Sequence, residues 1–569
     1  MKRGVILTIA VILVLVGLFG CSSLRASRLR QAQTRRISVE QYVDKMKAGW
    51  IGQMAGVGWG GSTEFQYKGA IIPQDKMPQW EPALINQFQQ DDIYVEMTFV
   101  RTLEVHGFGV SIRQAGIDFA NSGYPLWHAN LAGRDNLRAG IAPPDSGHPK
   151  FNSHADDIDY QIEADFAGLI APGMPNVAIQ LGEVFGRLMN YGDGLYGGQF
   201  VGGMYAEAFF ENDIVKVVEA GLRCIPQDSL YHQCISDVLR WHAKYPDDWA
   251  KTWQLVNEKY QLNAQNRRFS CGGAQDEFNI DAKINGAYIV MGLLYGDGDL
   301  DKTIVITCRC GQDSDCNPSN AAGILFTTVG FKNLPDKFKV ALDPSGKFSH
   351  TPYNFPTLVR VCEKLARQAV VNCGGKIAVD DQGAEHFTIS RQDPNPTPLE
   401  QCWEPKAAMG SRYTEKEMAQ ITAESGVDLS KAVESFAPGW KIGKCGPDME
   451  PGLREELRGR QNVLLTHPLS QTVGCVLTKT VNLPANKKSS LKLEVGHDAR
   501  GDWDLIVRAN GEQLIRKTVG PDTTTLGWTE VDVDLTKFAG KSVKLELVNE
   551  PTGWRFEAGL WSQITIVSE

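Results

Sequence analysis

The stretch Gly311-Gln-Asp-Ser-Asp-Cys-Asn-Pro-Ser-Asn-Ala-Ala-Gly323 sets two aspartates, Asp313 and Asp315, two positions apart. It follows the apolar run 303–307 and leads into small apolar residues from Ala321 that suit a helix. Asp and Asn accept the orphan N–H groups of turns and helix starts, so a lone D-x-D reads first as a solvated cap. Its functional reading is half of a hard-cation site, because Mg²⁺ and Ca²⁺ require several converging carboxylate oxygens. That reading demands a second acidic cluster. Gln90-Asp91-Asp92 supplies one, at the head of a helical pattern over 93–105, with Glu96 one turn further on. A helix dipole favours carboxylates at that position without any metal, so neither cluster decides the matter alone.

The chain has 569 residues, too many for one core, and two or three domains are expected. Its net charge of −9, with no basic stripe, argues against a nucleic-acid partner. Residues 38–373 carry apolar spacing at three and four and read as one all-α domain, opened by a capping box at Ser38-Val-Glu-Gln41. Residues 374–436 read as a connector with short strands at 376–379 and 386–390. From 437 to 569 seven alternating runs, with Asn510-Gly511 as a hairpin turn, indicate a jelly-roll-like β-sandwich. Its tryptophans Trp503, Trp528, Trp554 and Trp561 suit either stacking on sugar rings or an ordinary core, so a carbohydrate-binding role stays open.

The N-terminus reads as a targeting segment. A basic Met1-Lys2-Arg3 precedes an apolar run, Val5 to Gly20, that is short for a membrane span of about 20 residues. Leu18-Phe19-Gly20-Cys21 resembles a bacterial lipobox, which makes residues 1–20 a lipoprotein signal peptide and Cys21 the lipidated mature N-terminus. A plain membrane-anchoring helix is the alternative. Residues 21–37 then form a polar tether, and Ser22 points to the outer membrane of a bacterial cell envelope. Of 12 cysteines, 12 − 1 = 11 remain after Cys21, with no C-x-x-C, and core thiols are the reading for most of them. Asp297-Gly-Asp299-Leu-Asp301 imitates an EF-hand start, but Lys302 and Cys308 stand where that loop needs Gly and Glu. It reads as a cap.

Taken together the pieces resemble the ADP-ribosylglycohydrolase family. The family's G-D-A-x-G segment with a following Glu, its T-D-D-T segment and its late G-x-D-[ST]-D-T correspond to Gly52-Gln-Met-Ala-Gly56 with Glu64, Gln90-Asp-Asp-Ile93, and Gly311 to Cys316. The resemblance implies an orthogonal all-α bundle with two Mg²⁺ ions bound at Asp91, Asp92, Asp313 and Asp315. It implies catalytic roles for Glu64, which orients water, and for Asp92. It places Asp156 and Asp157, with Asn190 and Asp193, beside the substrate. The chemistry suits cleavage at a ribosyl C1, whose oxocarbenium-like transition state needs nearby carboxylates and a positioned water.

Three departures stand out. Gln90 replaces a threonine ligand but still offers a carbonyl oxygen. Cys316 replaces the other threonine with a thiol, a poor partner for a hard cation. Gln53 replaces the family's first aspartate. The site is therefore open to Mn²⁺ or Ca²⁺ as well. The expected activity is metal-dependent hydrolysis of a ribosyl or ADP-ribosyl C1 bond by a monomer anchored to a membrane. A surface glycosidase for furanosyl or other pentose glycans is the alternative, and a non-catalytic sugar-binding lipoprotein the second.

Overall fold

The structure, a computed structural model, describes residues 34–269, 276–422, 429–446, 449, 451–469, 473–553 and 556–569. The signal segment, Cys21 and Trp554 lie outside the described residues. The chain separates into two units, Met1–Ile421 and Thr422–Glu569.

The first unit is helical and is built around the helix Val39–Gly60. Ser38 caps it, its hydroxyl accepting from Gln41 N at 3.0 Å. The apolar positions Tyr42, Met46 and Ile51 give way to a glycine-rich segment, and the helix runs on through it. Gly52, Gly56 and Gly60 lie four apart on one face, and a Cβ on any of them would collide with backbone at Ala322, Pro318 or Ser314. The glycines therefore let this helix lie directly against the Asp313–Asp315 loop and the helix Cys316–Val329 that follows it. The loop itself turns through the left-handed region at Gly311 and Gln312. Gln312 is held there by its side chain, which accepts from Asn279 N at 3.0 Å and donates to Glu277 O at 2.8 Å. Asp299 caps the helix Leu300–Arg309 through Lys302 N at 2.8 Å.

A three-stranded antiparallel sheet in the order β1-β3-β2 completes this unit, with β1 at Thr34–Ser38, β2 at Lys376–Val379 and β3 at Glu385–Ser390. Residues 34–37, read from sequence as tether, thus pair with β3, Thr34 opposite Ser390. Much of the segment read as connector also lies on the helical unit. Asp145 accepts from Met409 N and Ser411 N at 3.0 and 2.8 Å, and Arg113 pairs with Glu417 at 2.6 Å.

The second unit consists of two five-stranded antiparallel sheets. The first runs β10-β9-β12-β7-β4 and the second β11-β8-β13-β6-β5. Their members are β4 Lys441–Gly443, β5 Gly452–Leu457, β6 Arg460–Thr466, β7 Cys475–Asn482, β8 Ser489–His497, β9 Trp503–Ala509, β10 Glu512–Val519, β11 Trp528–Asp534, β12 Ser542–Glu550 and β13 Gly559–Ser568. Leu491, Leu493, Leu505, Val507, Leu545 and Leu547 meet in the shared core. Asn510 and Gly511, both at positive φ (52° and 84°), join β9 to β10 as a type I′ hairpin requires. Trp503, Trp528 and Trp561 are buried, so their faces pack the interior and offer no platform to a sugar. Among the described residues no helix is long and apolar enough to cross a membrane.

Candidate active site

The helix Asp91–His106 begins with both acids in its first turn, and the loop ahead of Cys316–Val329 brings Asp313 and Asp315 to meet them. Asp91, Asp92 and Cys316 place one donor atom each within 4.8 Å of one another, and so do Asp313, Asp315 and Cys316. The four carboxylates and Cys316 therefore form one cluster, as the motifs imply. Asp91, Asp313, Cys316, Gln90 and Glu64 line a cleft of about 300 Å³, whose aromatic walls include Phe65, Tyr94, Trp127 and Phe278. Asp92 and Asp315 are buried. Thr63 and Ser314 share a 2.8 Å hydroxyl contact, and Phe65 N donates to Gln312 O at 3.0 Å, so the Glu64 loop is tied to the Asp313 loop.

The electrostatics are those of an uncompensated anion site. Burial pushes the Asp313 carboxyl up to about 8, with Glu64 and Asp92 adding to it. Glu64 stands at an exposed position on the cleft lip, yet the protein mass around its carboxyl, with Asp315 and Asp91, also raises it to about 8. Burial likewise raises Asp91, and it lifts Asp92 and Asp315 well above the usual carboxylate range, where acidic neighbours push the same way. Among the described residues neither Asp92 oxygen has a hydrogen-bond partner beyond a loose approach of the Cys316 thiol.

Buried oxygens left without donors, among acids rather than bases, fit a hard dication. The thiol does not. Burial and the surrounding aspartates hold Cys316 protonated, and its Sγ faces Asp315 Oδ1 at 3.8 Å. Asp91, Asp92, Asp313 and Asp315 are thus the residues able to hold such an ion. Gln90 lies in the cleft wall with its amide donating to Gln87 Oε1 at 3.1 Å. Gln53, buried behind the cluster, donates to Glu96, whose other oxygen accepts from Phe166 N at 3.0 Å. An aspartate at 53 would set two carboxylates against each other, so glutamine is the residue that satisfies Glu96 here.

The four residues placed beside substrate by resemblance are not part of the cleft lining, although Asp157 Oδ2 lies 3.7 Å from the lining residue His128. Asp156, Asp157, Asn190 and Asp193 are all buried, and none lines the cleft. Asn190 is a backbone strut, accepting from Tyr160 N at 2.9 Å and donating to Asp157 O at 2.8 Å. Asp193 accepts from Tyr231 N at 3.2 Å. Asp156 and Asp193 face Lys283, which is ion-paired to Asp281. Burial opposes the Lys283 charge, but Asp281, Asp156 and Asp193 outweigh it and raise its basicity. The cleft instead presents His128 and Asp159. Asp159 accepts from Asn130 N at 2.8 Å, and burial lifts its carboxyl to about 7. His128 and Lys283 carry no sequence signal, since each is a single residue without a partner at regular spacing. Asp281 does carry one, as the acid preceding the helix Ala282–Gly296, where it accepts from Lys283 N at 3.1 Å.

Comparison with known proteins agrees with the geometry. The ADP-ribosylglycohydrolase family pattern matches residues 38–373, more than half of the chain. Among solved structures, an ADP-ribosylglycohydrolase-related protein complex is 13% identical, covering 58% of this chain and 99% of its own at a TM-score of 0.39. A Stig cyclase from Fischerella sp. TAU is 14% identical, with 26% and 98% covered and a TM-score of 0.18. The CBM22-1 xylan-binding domain from Paenibacillus barcinonensis is 16% identical, with 23% and 87% covered and a TM-score of 0.18. At these scores none of the three bears on activity. No curated protein matches. The family pattern spans the acidic cleft and the helices that build it, and the chain belongs to the ADP-ribosylglycohydrolase family, a family of glycohydrolases.

Proposed function

We propose that this protein hydrolyses a ribosyl-type C1 glycosidic bond, with an ADP-ribosyl group as the leading substrate, and that it depends on a hard divalent cation. The observation that carries this reading is the convergence of Asp91, Asp92, Asp313 and Asp315 at the base of a cleft that also presents Glu64. A dication such as Mg²⁺ held by those aspartates would supply positive charge beside the sugar hydroxyls. Glu64 sits on the lip, where an ionised carboxylate can orient and deprotonate a water attacking C1. Burial and the neighbouring Asp315 and Asp91 raise its carboxyl, so compensating the cluster's charge favours the ionised form that role needs. Phe65 and Phe278, with ring centroids 5.1 Å apart, and the half-exposed Trp127 offer faces for a sugar or base ring. The cleft volume suits a pentose with part of its aglycone.

The lipobox-like Cys21 supports a further proposal, that the chain is lipid-anchored in a bacterial envelope. A Cys21→Ser variant that still takes up labelled fatty acid would refute it.

The activity test is release of free ADP-ribose from ADP-ribosylated peptides, run beside pentose release from a glycan panel, with Mg²⁺, Mn²⁺ or Ca²⁺. Cation-dependent ADP-ribose release supports the reading, and pentose release alone moves the substrate to a glycan. Turnover of neither substrate with any of the three ions contradicts it.

A further inference from the structure

His128, His154 and Asp157 are not needed by the carboxylate cluster, yet they converge. One nitrogen of each ring and one carboxylate oxygen lie within 4.8 Å of one another. His154 Nδ1 is 2.7 Å, and His128 Nδ1 3.7 Å, from the same atom, Asp157 Oδ2. The ring centroids are 5.3 Å apart and the planes cross at 69°. A tetrahedral ion with bonds of about 2.0–2.1 Å separates neighbouring ligand atoms by roughly 3.3 Å, a value between those two distances. The second oxygen, Asp157 Oδ1, is buried with no hydrogen-bond partner among the described residues. The Asp157 side chain is fully buried, whereas the two rings remain 23% and 26% exposed, and His128 forms part of the cleft wall.

The frame around the three is fixed. Asn190 Nδ2 donates to Asp157 O at 2.8 Å. Ile158 N donates to Ile280 O at 3.0 Å, and Ala282 N to Asp156 O at 2.9 Å. Phe278 stacks on His128 at 5.7 Å and 25°. Such supports around a ligand set hold its side chains in place before an ion arrives.

We propose that His128, His154 and Asp157 form a second metal site, for a nitrogen-preferring late first-row dication of the Zn²⁺ class, separate from the all-carboxylate site for a hard cation. Two imidazoles and one carboxylate are a donor set of catalytic zinc, and imidazole selects such ions over Mg²⁺. Three protein ligands leave a coordination position for water or for an anionic group in the cleft. Binding releases to solvent the proton that His154 shares with Asp157. The site does not depend on the proposed substrate.

The test uses the full chain, stripped with chelator, saturated with Mg²⁺ and titrated with Co²⁺ as a spectroscopic substitute for Zn²⁺. The proposal expects one Co²⁺ per chain, visible bands of a low-coordinate nitrogen–oxygen site without thiolate charge transfer, and displacement by Zn²⁺. Uptake should be lost in His128→Gln and in His154→Gln and kept in Cys316→Ser. Far-UV circular dichroism and an unchanged Mg²⁺ response would show that the histidine variants fold. Absence of uptake leaves only a metal-free His154–Asp157 hydrogen bond and overturns the proposal. Uptake that survives both histidine variants, or that disappears with Cys316→Ser, overturns it equally.

Discussion

Two of the groups of buried acids in the helical unit are charged differently. Asp156, Asp193 and Asp281 surround Lys283, which is itself buried and ion-paired. Around Asp91, Asp92, Asp313 and Asp315 the charged neighbours that weigh most are other acids. The first group carries its own cation and braces the loop behind the cleft. Among the described residues the second has none; it opens onto the cleft and leaves both Asp92 oxygens without a firm donor. Acidic residues alone therefore do not mark a metal site. What sets the proposed site apart is a missing counter-charge together with an open cleft.

The sharpest break of that contrast is Lys283→Met. It leaves buried carboxylates without their cation, and loss of one partner from a buried pair costs about 3–5 kcal/mol. Urea unfolding should show a loss of that order, and a loss below about 1 kcal/mol would mean that the acids are already protonated and need no lysine. In the other group, Asp313→Asn should leave the fold intact while lowering turnover about 100- to 1,000-fold, the usual cost of removing one preorganised electrostatic contact. Steady-state kinetics checks it, and near-normal kcat would remove Asp313 from the site.

A gentler effect is the pH slope of stability. Asp313 and Glu64 titrate near 8 in the folded, cation-free protein, far above the carboxylate range of an unfolded chain. The folded state thus holds extra protons between about pH 4 and pH 8. The associated stability is fully present below that window and is lost as pH rises through it. Cation-free wild type should therefore lose thermal stability from pH 5.5 to 8.5 more steeply than Asp313→Asn, and Mg²⁺ should flatten the wild-type slope. Parallel slopes in the two proteins would contradict this.

The sequence is most readable where chemistry is local. Asp91-Asp92 and Asp313-x-Asp315 are short motifs, and each sits at a helix start that its own residues encode. The glycines at 52, 56 and 60 were visible as a cluster, but their purpose requires a partner helix against which a Cβ would collide. Strand β5, Gly-Leu-Arg-Glu-Glu-Leu, is half-exposed and too polar to alternate, so the sandwich holds more strands than its seven apolar runs suggest. Strand β1 hid in a polar segment for the same reason, its order coming from pairing with residues about 350 positions later. The loop at 154–159 has the composition of a pocket lining, yet its backbone pairs with 280–282 and turns Asp156 inward toward Lys283. Direction of that kind belongs to tertiary contacts rather than to motif spacing.

The most direct test of the central claim is calorimetric titration of metal-free protein with Mg²⁺ at neutral pH in buffers of different ionisation enthalpy. The account predicts saturable binding with net proton release, as carboxyls raised by burial give up protons to the buffer when the ion binds, and loss of both signals in Asp313→Ala. Absence of Mg²⁺ binding in the wild type, or binding unchanged in Asp313→Ala, would contradict it.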